Sequence, residues 1–146
     1  MKYNLGCGNK KLDGFINLDK DDIDLNILPY KFVTNSIDYI LLSQVFEHLD
    51  ADKRLGILDE LLRVTKKDGL IEIGLPTNSY SVNHITHIHN KGYFNIMNLN
   101  EKYLLNAFEI VDIKYTFRGL KSMVYQINDI IRRFLFKDIT FFIKKR

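Results

Sequence analysis

The chain opens on a strand, a glycine turn, a second strand and an acid, and that order restricts its fold more than any other stretch. Lys2–Leu5 reads as a short strand running into Gly6-Cys7-Gly8-Asn9, and the apolar run Phe15–Leu18 ends at Asp19. Glycines in such a turn let the backbone come close to a ligand. An acid at the tip of the next strand is placed to hold two ribose hydroxyls. The dinucleotide pattern G-x-G-x-x-G needs glycine where Lys11 stands, and Asp19 follows Gly8 by only eleven residues, against roughly twenty where the crossover carries a full helix. The spacing therefore predicts a first crossover with little or no helix.

Beyond Asp19 the chain alternates strand and helix signals, which predicts an α/β sandwich with a mostly parallel sheet. Ser36–Leu42 reads as an apolar strand, and Asp50 or Asp52 is placed to cap the helix that follows. In that helix Leu55, Leu58 and Leu62 share a face that Ile57 and Leu61 widen. Lys66 and Lys67 suit its C-terminal end, and Asp68-Gly69 reads as a turn. Leu70–Gly74 is a buried strand stopped by Pro76, whereas residues 75–98 are polar, aperiodic and rich in histidine. A loop of that length in a small domain is usually functional or mobile. Asn100–Ala107 reads as a helix and Phe108–Phe117 as a long strand. Ile127, Ile130, Ile131, Phe134 and Leu135 fall at helical spacing, and Ile139–Lys145 reads as a last strand. The last two strands suit a sheet edge, where one reversed strand often sits.

Size and composition narrow the function. The 146 residues fit one domain spanning 1–146, with 46% hydrophobic and 27% charged residues, ordinary for a soluble globule. No apolar run reaches the roughly twenty residues that span a bilayer, and no signal peptide is read at the start. The single cysteine, Cys7, fits a reducing compartment, so a cytoplasmic location is expected. Cys7 stands between two glycines, where a small side chain is required. No Cys-Cys or Cys-His spacing suggests a metal. Residues 132–146 carry Arg132, Arg133, Lys137, Lys144, Lys145 and Arg146 against Asp138. This tail is read as a solvated face rather than a nucleic-acid or lipid contact.

The ordered segments Leu5-Gly6-Cys7-Gly8-Asn9, Asn17-Leu18-Asp19, Asp24-Leu25, Leu28-Pro29-Tyr30, Ser36-Ile37-Asp38-Tyr39-Ile40, Ser43-Gln44-Val45-Phe46-Glu47-His48-Leu49 and Leu62 to Leu70 resemble the class I S-adenosylmethionine-dependent methyltransferases. The likeness is to their small type 11 group in particular. Asn83-His84-Ile85-Thr86-His87 and Ala107-Phe108-Glu109-Ile110 add to it. The resemblance implies a Rossmann-like three-layer sandwich with a seven-stranded sheet and a reversed terminal hairpin. It also implies S-adenosyl-L-methionine lying over the C-terminal strand ends. Carried across, Gly6, Cys7 and Gly8 would leave room for the methionine part, and Asp19 would hold the ribose. Asp24 with the Leu25 backbone would address the adenine edge, Ile27 and Leu28 would pack on the adenine face, and Ser43 and Gln44 would stand at the methionine end. His87 and His48 are the candidate catalytic bases, with His84 and His89 near the former. Glu47 and His48 equally suit a structural role at the helix start.

Two departures from the family pattern stand out. Lys10 replaces the third glycine of the turn, and no helical signal precedes the first strand, where relatives commonly carry lid helices. The expected pocket is accordingly open, or covered by a homodimer mate or partner chain. The acceptor is expected to be a small molecule or a sugar- or lipid-linked precursor with an oxygen or nitrogen nucleophile. Specific nucleic acid is not expected, because Ser-Gln-Val-Phe stands where amino-directed base methyltransferases carry Asp/Asn-Pro-Pro-Tyr/Phe. The rival readings are a non-catalytic scaffold of the same fold that needs a partner, and a nicotinamide-dependent oxidoreductase. The second is disfavoured by the missing glycine and the short spacing to Asp19.

Overall fold

The computed structural model describes residues 1–76, 107–117 and 136–145. In chain order these form β1 (Lys2–Leu5), β2 (Ile16–Leu18), β3 (Ile37–Ser43), a 3-10 turn (Phe46–His48), α1 (Arg54–Val64), β4 (Thr65–Pro76), β5 (Phe108–Phe117) and β6 (Phe136–Lys145). They make one six-stranded sheet in the order β2-β1-β3-β4-β6-β5. The pairings β1–β2, β1–β3 and β3–β4 are parallel, while β6 runs antiparallel to both β4 and β5.

The reversed terminal hairpin is therefore present. Five of the six strands run the same way and only β6 is reversed, as expected of a mostly parallel sheet; of the expected seven strands, six are present among the described residues. Residues 19–36 hold no strand beyond β2. Asp22 and Ile23 donate to the Asp19 carbonyl and Ile27 to that of Asp24, so this stretch curls into successive turns instead of extending. The helices expected at Asn100–Ala107 and around Ile127–Leu135 lie outside the described residues, apart from Ala107 itself, which precedes β5 without helical structure.

The first crossover has no helix, as its spacing predicts. Two asparagines hold it instead. Asn4, buried in β1, donates from Nδ2 to the Lys10 carbonyl at 2.9 Å and to Asn17 Oδ1 at 2.8 Å. Asn17 in β2 accepts from the Leu12 amide and donates to the Leu12 and Phe15 carbonyls. Side-chain amides thus satisfy backbone groups that a helix would have paired internally.

On one face of the sheet Leu5, Ile40, Leu42, Ile71, Ile73, Leu75, Ile139, Phe141 and Ile143 are buried, and Ile57, Leu58, Leu61 and Leu62 of α1 close over the same core. Each such aliphatic side chain contributes about 1.5–3 kcal/mol of burial. The helix stripe is centred on Ile57 and Leu61, with Leu55 only half-buried. The expected aspartate cap is absent: Lys53 occupies the cap position and no side chain caps the helix. Asp50 binds Lys53 instead, Oδ2 to Nζ at 3.0 Å.

At the far end Thr65 closes α1, its Oγ1 donating to the Leu61 carbonyl at 2.7 Å. β4 begins there, and the predicted turn is a bulge within it: Thr65 pairs with Ile37 and Leu70 with Tyr39. Gly69 is required in the bulge, since a Cβ there would meet the Ile37 carbonyl oxygen at 2.9 Å. Lys66 lies beyond the helix and reaches Asp38 at 2.6 Å rather than the helix end. Asp38 also takes the amino terminus, and the two cations hold its carboxyl down at about 2, with Lys66 the larger cause.

Candidate functional site

The carboxyl ends of β1, β2 and β3 frame a cleft of about 220 Å³ lined by Gly6, Asp19, Lys20, Ile23, Asp24, Leu25, Asn26, Val45, His48 and Leu49. Each wall has a local cause. Gly6 has φ +67°, and a Cβ there would lie 2.6 Å from Val45 Cγ2. Glycine therefore lets the end of β1 pass directly under the loop that leaves β3. Gly6 and Cys7 both donate to the Leu18 carbonyl, at 2.8 and 3.1 Å. That brings the glycine turn against the tip of β2, beside Asp19. The Asp19 amide donates to Asp22 Oδ2 at 2.9 Å, which fixes the backbone from which its side chain projects.

The third wall, residues 24–26, is held from both sides. Asp24 Oδ1 accepts the Asn26 amide and Asn26 Oδ1 accepts the Asp50 amide, both at 2.9 Å. Behind it Tyr30 donates its hydroxyl to the Leu25 carbonyl and its amide to Glu60 Oε1 at 2.7 Å. Arg63 binds both Glu60 oxygens at 2.7 Å and also reaches the Tyr30 and Phe32 carbonyls and Thr34 Oγ1. Arg63 lowers the Glu60 carboxyl below its ordinary range. This Glu60–Arg63 clamp on α1 shapes the cleft floor without touching the cleft. Its sequence signal, an acid and a base three apart on a helix, is too common to single out.

The fourth wall is the 3-10 turn. Arg54, itself buried, donates to the carbonyls of Glu47 and Leu49 at 2.9 and 3.2 Å and packs over Phe46. It thereby holds the turn that presents His48 to the cleft. Glu47 in that turn is 5% exposed, and no other residue donates to its carboxyl at hydrogen-bond geometry. Burial pushes it up to about 7, the residue's own backbone amide and then Arg54 opposing the rise and Asp138 adding to it.

The structure thus brings Gly6, Asp19, Asp24, Leu25 and His48 to one cleft. Cys7 and Gly8 continue the same turn outside the lining. Ser43 ends β3, and Gln44, with φ +60°, turns toward β6, its Nε2 3.4 Å from Asp138 Oδ1. Ile27 and Leu28 are exposed and do not line the cleft. Ile23, Val45 and Leu49 supply its apolar surface instead. His84, His87 and His89 lie outside the described residues. Among the described residues no group of His, Cys, Asp and Glu is arranged to hold a metal ion, and no helix is long and apolar enough to cross a membrane.

A glycine turn under a strand-end carboxylate, at the carboxyl edge of an α/β sheet, gives the chain a Rossmann-like fold. Residues 5–73 match the family model described as a methyltransferase domain. The fold is shared with an S-adenosylmethionine-dependent methyltransferase from Archaeoglobus fulgidus (16% identity, 99% of this chain and 85% of that one, TM-score 0.62). It is shared too with a candidate type 11 methyltransferase from Sulfolobus solfataricus (16% identity, 99% and 84%, TM-score 0.55). A third likeness is to the complex between the Haloferax volcanii Trm112 methyltransferase activator and a candidate methyltransferase (12% identity, 99% and 81%, TM-score 0.63). Comparison with curated protein sequences gives no match. Over residues 5–73 the chain is thus similar to methyltransferase domains, and it shares its fold with these solved structures.

Proposed function

We propose that the chain binds S-adenosyl-L-methionine in this cleft and transfers its methyl group to an oxygen or nitrogen of a small molecule or a sugar- or lipid-linked precursor. One observation carries the reading: Asp19 and the Gly6 turn are joined through the Leu18 carbonyl and share one cleft with Asp24 and Leu25. The donor set fits the cofactor. Asp19 offers carboxylate acceptors to a ribose diol, the 24–26 backbone offers an edge for adenine, and Ile23, Val45 and Leu49 offer apolar surface to its ring. Ser43 and Gln44 stand at the same sheet edge, on the side where the methionine part would extend.

When bound, the cofactor supplies a methyl carbon activated by positive sulfur. The chain's own task is to hold the acceptor in line with that carbon and to exclude water. A hydroxyl acceptor also needs its proton removed, and His48 at the cleft wall is the described group suited to this near neutral pH. His87 is the second candidate base in this reading.

Calorimetric titration with S-adenosylhomocysteine tests the reading. Micromolar binding, lost in Asp19→Ala, supports it; a folded protein that binds nothing overturns it as an independent enzyme. A second reading draws on the Haloferax complex, whose methyltransferase chain is paired with an activator. In it the site is completed by a partner chain or a second copy, and without that chain the protein is a scaffold. Recovery of binding on adding such a partner distinguishes it.

A further inference from the structure

The Glu47 carboxyl has no part in cofactor binding as described, yet it is an unusual group to leave in this place. It is 5% exposed and neither oxygen has a hydrogen-bond partner in another residue. A buried polar group without partners is costly and calls for an explanation, since an apolar side chain would fill the same space at lower cost. Packing alone does not provide one.

Its surroundings do. The charged and titratable groups that face it come from each packed element. Arg54 of α1 has its guanidinium engaged with the Glu47 and Leu49 carbonyls. Asp138 of β6 is approached by Gln44 Nε2. In the same turn His48 places Nε2 4.0 Å from Glu47 Oε1, and His48 lines the cleft. His48 is thus both a lining residue of the cleft and the neighbour of a buried carboxyl, 4.0 Å from its Nε2.

We propose that Glu47 is the positioning and proton-tuning partner of His48, so that the buried carboxyl and the cleft-facing imidazole titrate as one unit. The inference rests on the reading of His48 as the base for methyl transfer. In the transfer step the acceptor's lone pair forms the bond to the methyl carbon, and the electron pair of the broken carbon–sulfur bond stays on sulfur. The acceptor's proton passes to the imidazole nitrogen on the cleft side. The resulting imidazolium presents its other N–H to the Glu47 carboxylate, which stabilises it as an acidic partner orients a histidine base. The rise of Glu47 to about 7, caused chiefly by burial, brings the carboxyl into the range where a histidine titrates. In the proposed pair, protonation of the imidazole and of the carboxyl would be linked through this 4.0 Å approach.

The test is NMR titration of the full chain labelled at histidine nitrogen, with His48→Gln used to assign the His48 signals. The expected result is a two-step His48 curve, with its principal midpoint falling by about one pH unit in Glu47→Gln, a tenfold change in proton affinity. The reverse experiment follows the Glu47 carboxyl carbon, whose midpoint is expected to rise in His48→Gln because a cation is lost beside it. This second arm stands should Glu47→Gln fail to fold. A His48 curve that superimposes in the two proteins, or a Glu47 carboxyl indifferent to His48→Gln, overturns the proposal. S-adenosylhomocysteine binding on the same samples is expected to survive Glu47→Gln. Loss of binding in the unaltered chain would instead remove the methyltransferase reading and leave the titration result intact.

Discussion

Two buried glutamates lie on either side of the cleft, and they are treated in opposite ways. Glu60 on α1 is 8% exposed and Glu47 in the 3-10 turn 5%, so burial does not separate them. Glu60 receives both an Arg63 chelate and the Tyr30 amide and is held ionised. Glu47 receives no hydrogen bond from another residue, and burial pushes it toward its neutral form. The region around Glu60 is structural: Glu60 accepts the Tyr30 amide and orients Arg63, which in turn ties Tyr30, Phe32 and Thr34 to the helix. The region around Glu47 keeps proton-binding capacity in reserve one residue from a cleft-lining histidine. Perturbed carboxyls beside a cleft are a mark of function, whereas fully paired ones are a mark of architecture.

The largest expected effect comes from unmaking the paired side. Arg63→Ala removes five hydrogen bonds and leaves the Glu60 carboxylate without its cation, so the denaturation midpoint should fall clearly. Urea denaturation should show it, together with weaker S-adenosylhomocysteine binding as residues 24–34 lose their backing. An unchanged midpoint would mean that the two glutamates are not different in kind.

Glu47→Gln should act on pH dependence rather than on stability at low pH. The native carboxyl is raised from 4.5 to about 7, so between those values the native state holds a proton that the unfolded chain has released. Stability from this group is therefore complete below 4.5, falls as pH rises through 7 and is level above, a decline of up to about 3 kcal/mol. The glutamine variant should lack that slope in denaturation curves taken from pH 5 to 8. The same slope in both proteins would show that Glu47 is paired in solution.

Asp19→Ala should cost tenfold or more in S-adenosylhomocysteine affinity, about 1.4 kcal/mol or above, with little change in melting temperature, because this carboxylate faces the cleft rather than the core. The smallest effect is expected at a third, exposed carboxylate. Asp50→Ala loses only a surface pair with Lys53 and should leave the denaturation midpoint unmoved, consistent with the low worth of such pairs. A clear loss would restore Asp50 as a helix cap.

The sequence carried the frame of the site because that frame is made by local rules. A glycine needing positive φ, a strand-end acid at fixed spacing and the absence of room for a helix are all visible between Leu5 and Asp19. Strand periods were readable for the same reason, and Phe108–Phe117 matches β5 end to end. What was not readable depends on distant partners. Asp50 and Asp52 look like caps until Asp50 is seen bound to Lys53. Lys66 looks like a helix terminator until β4 starts one residue earlier and Asp38 on β3 claims it. The resemblance puts Ile27 and Leu28 on the adenine face, whereas Ile27 is exposed and Leu28 lies against Gly56 of α1, both outside the cleft lining. Glu47 and Glu60 are the same letter in sequence; only the arrival of Arg63, Tyr30 and Asp138 makes them different.

The position of β6 has a consequence for how the molecule comes to exist. Residues 136–145 are inserted between β4 and the edge strand β5, so β4 gains its second neighbour only from a segment made some sixty residues later than itself, Thr65–Pro76. Such long-range pairing slows folding. During synthesis on the ribosome, β1 to β4 can assemble early, but the edge of β4 waits uncovered until position 145 has emerged. A nascent chain halted before that point would display an unpaired row of backbone groups, the state most exposed to aggregation and most in need of a chaperone.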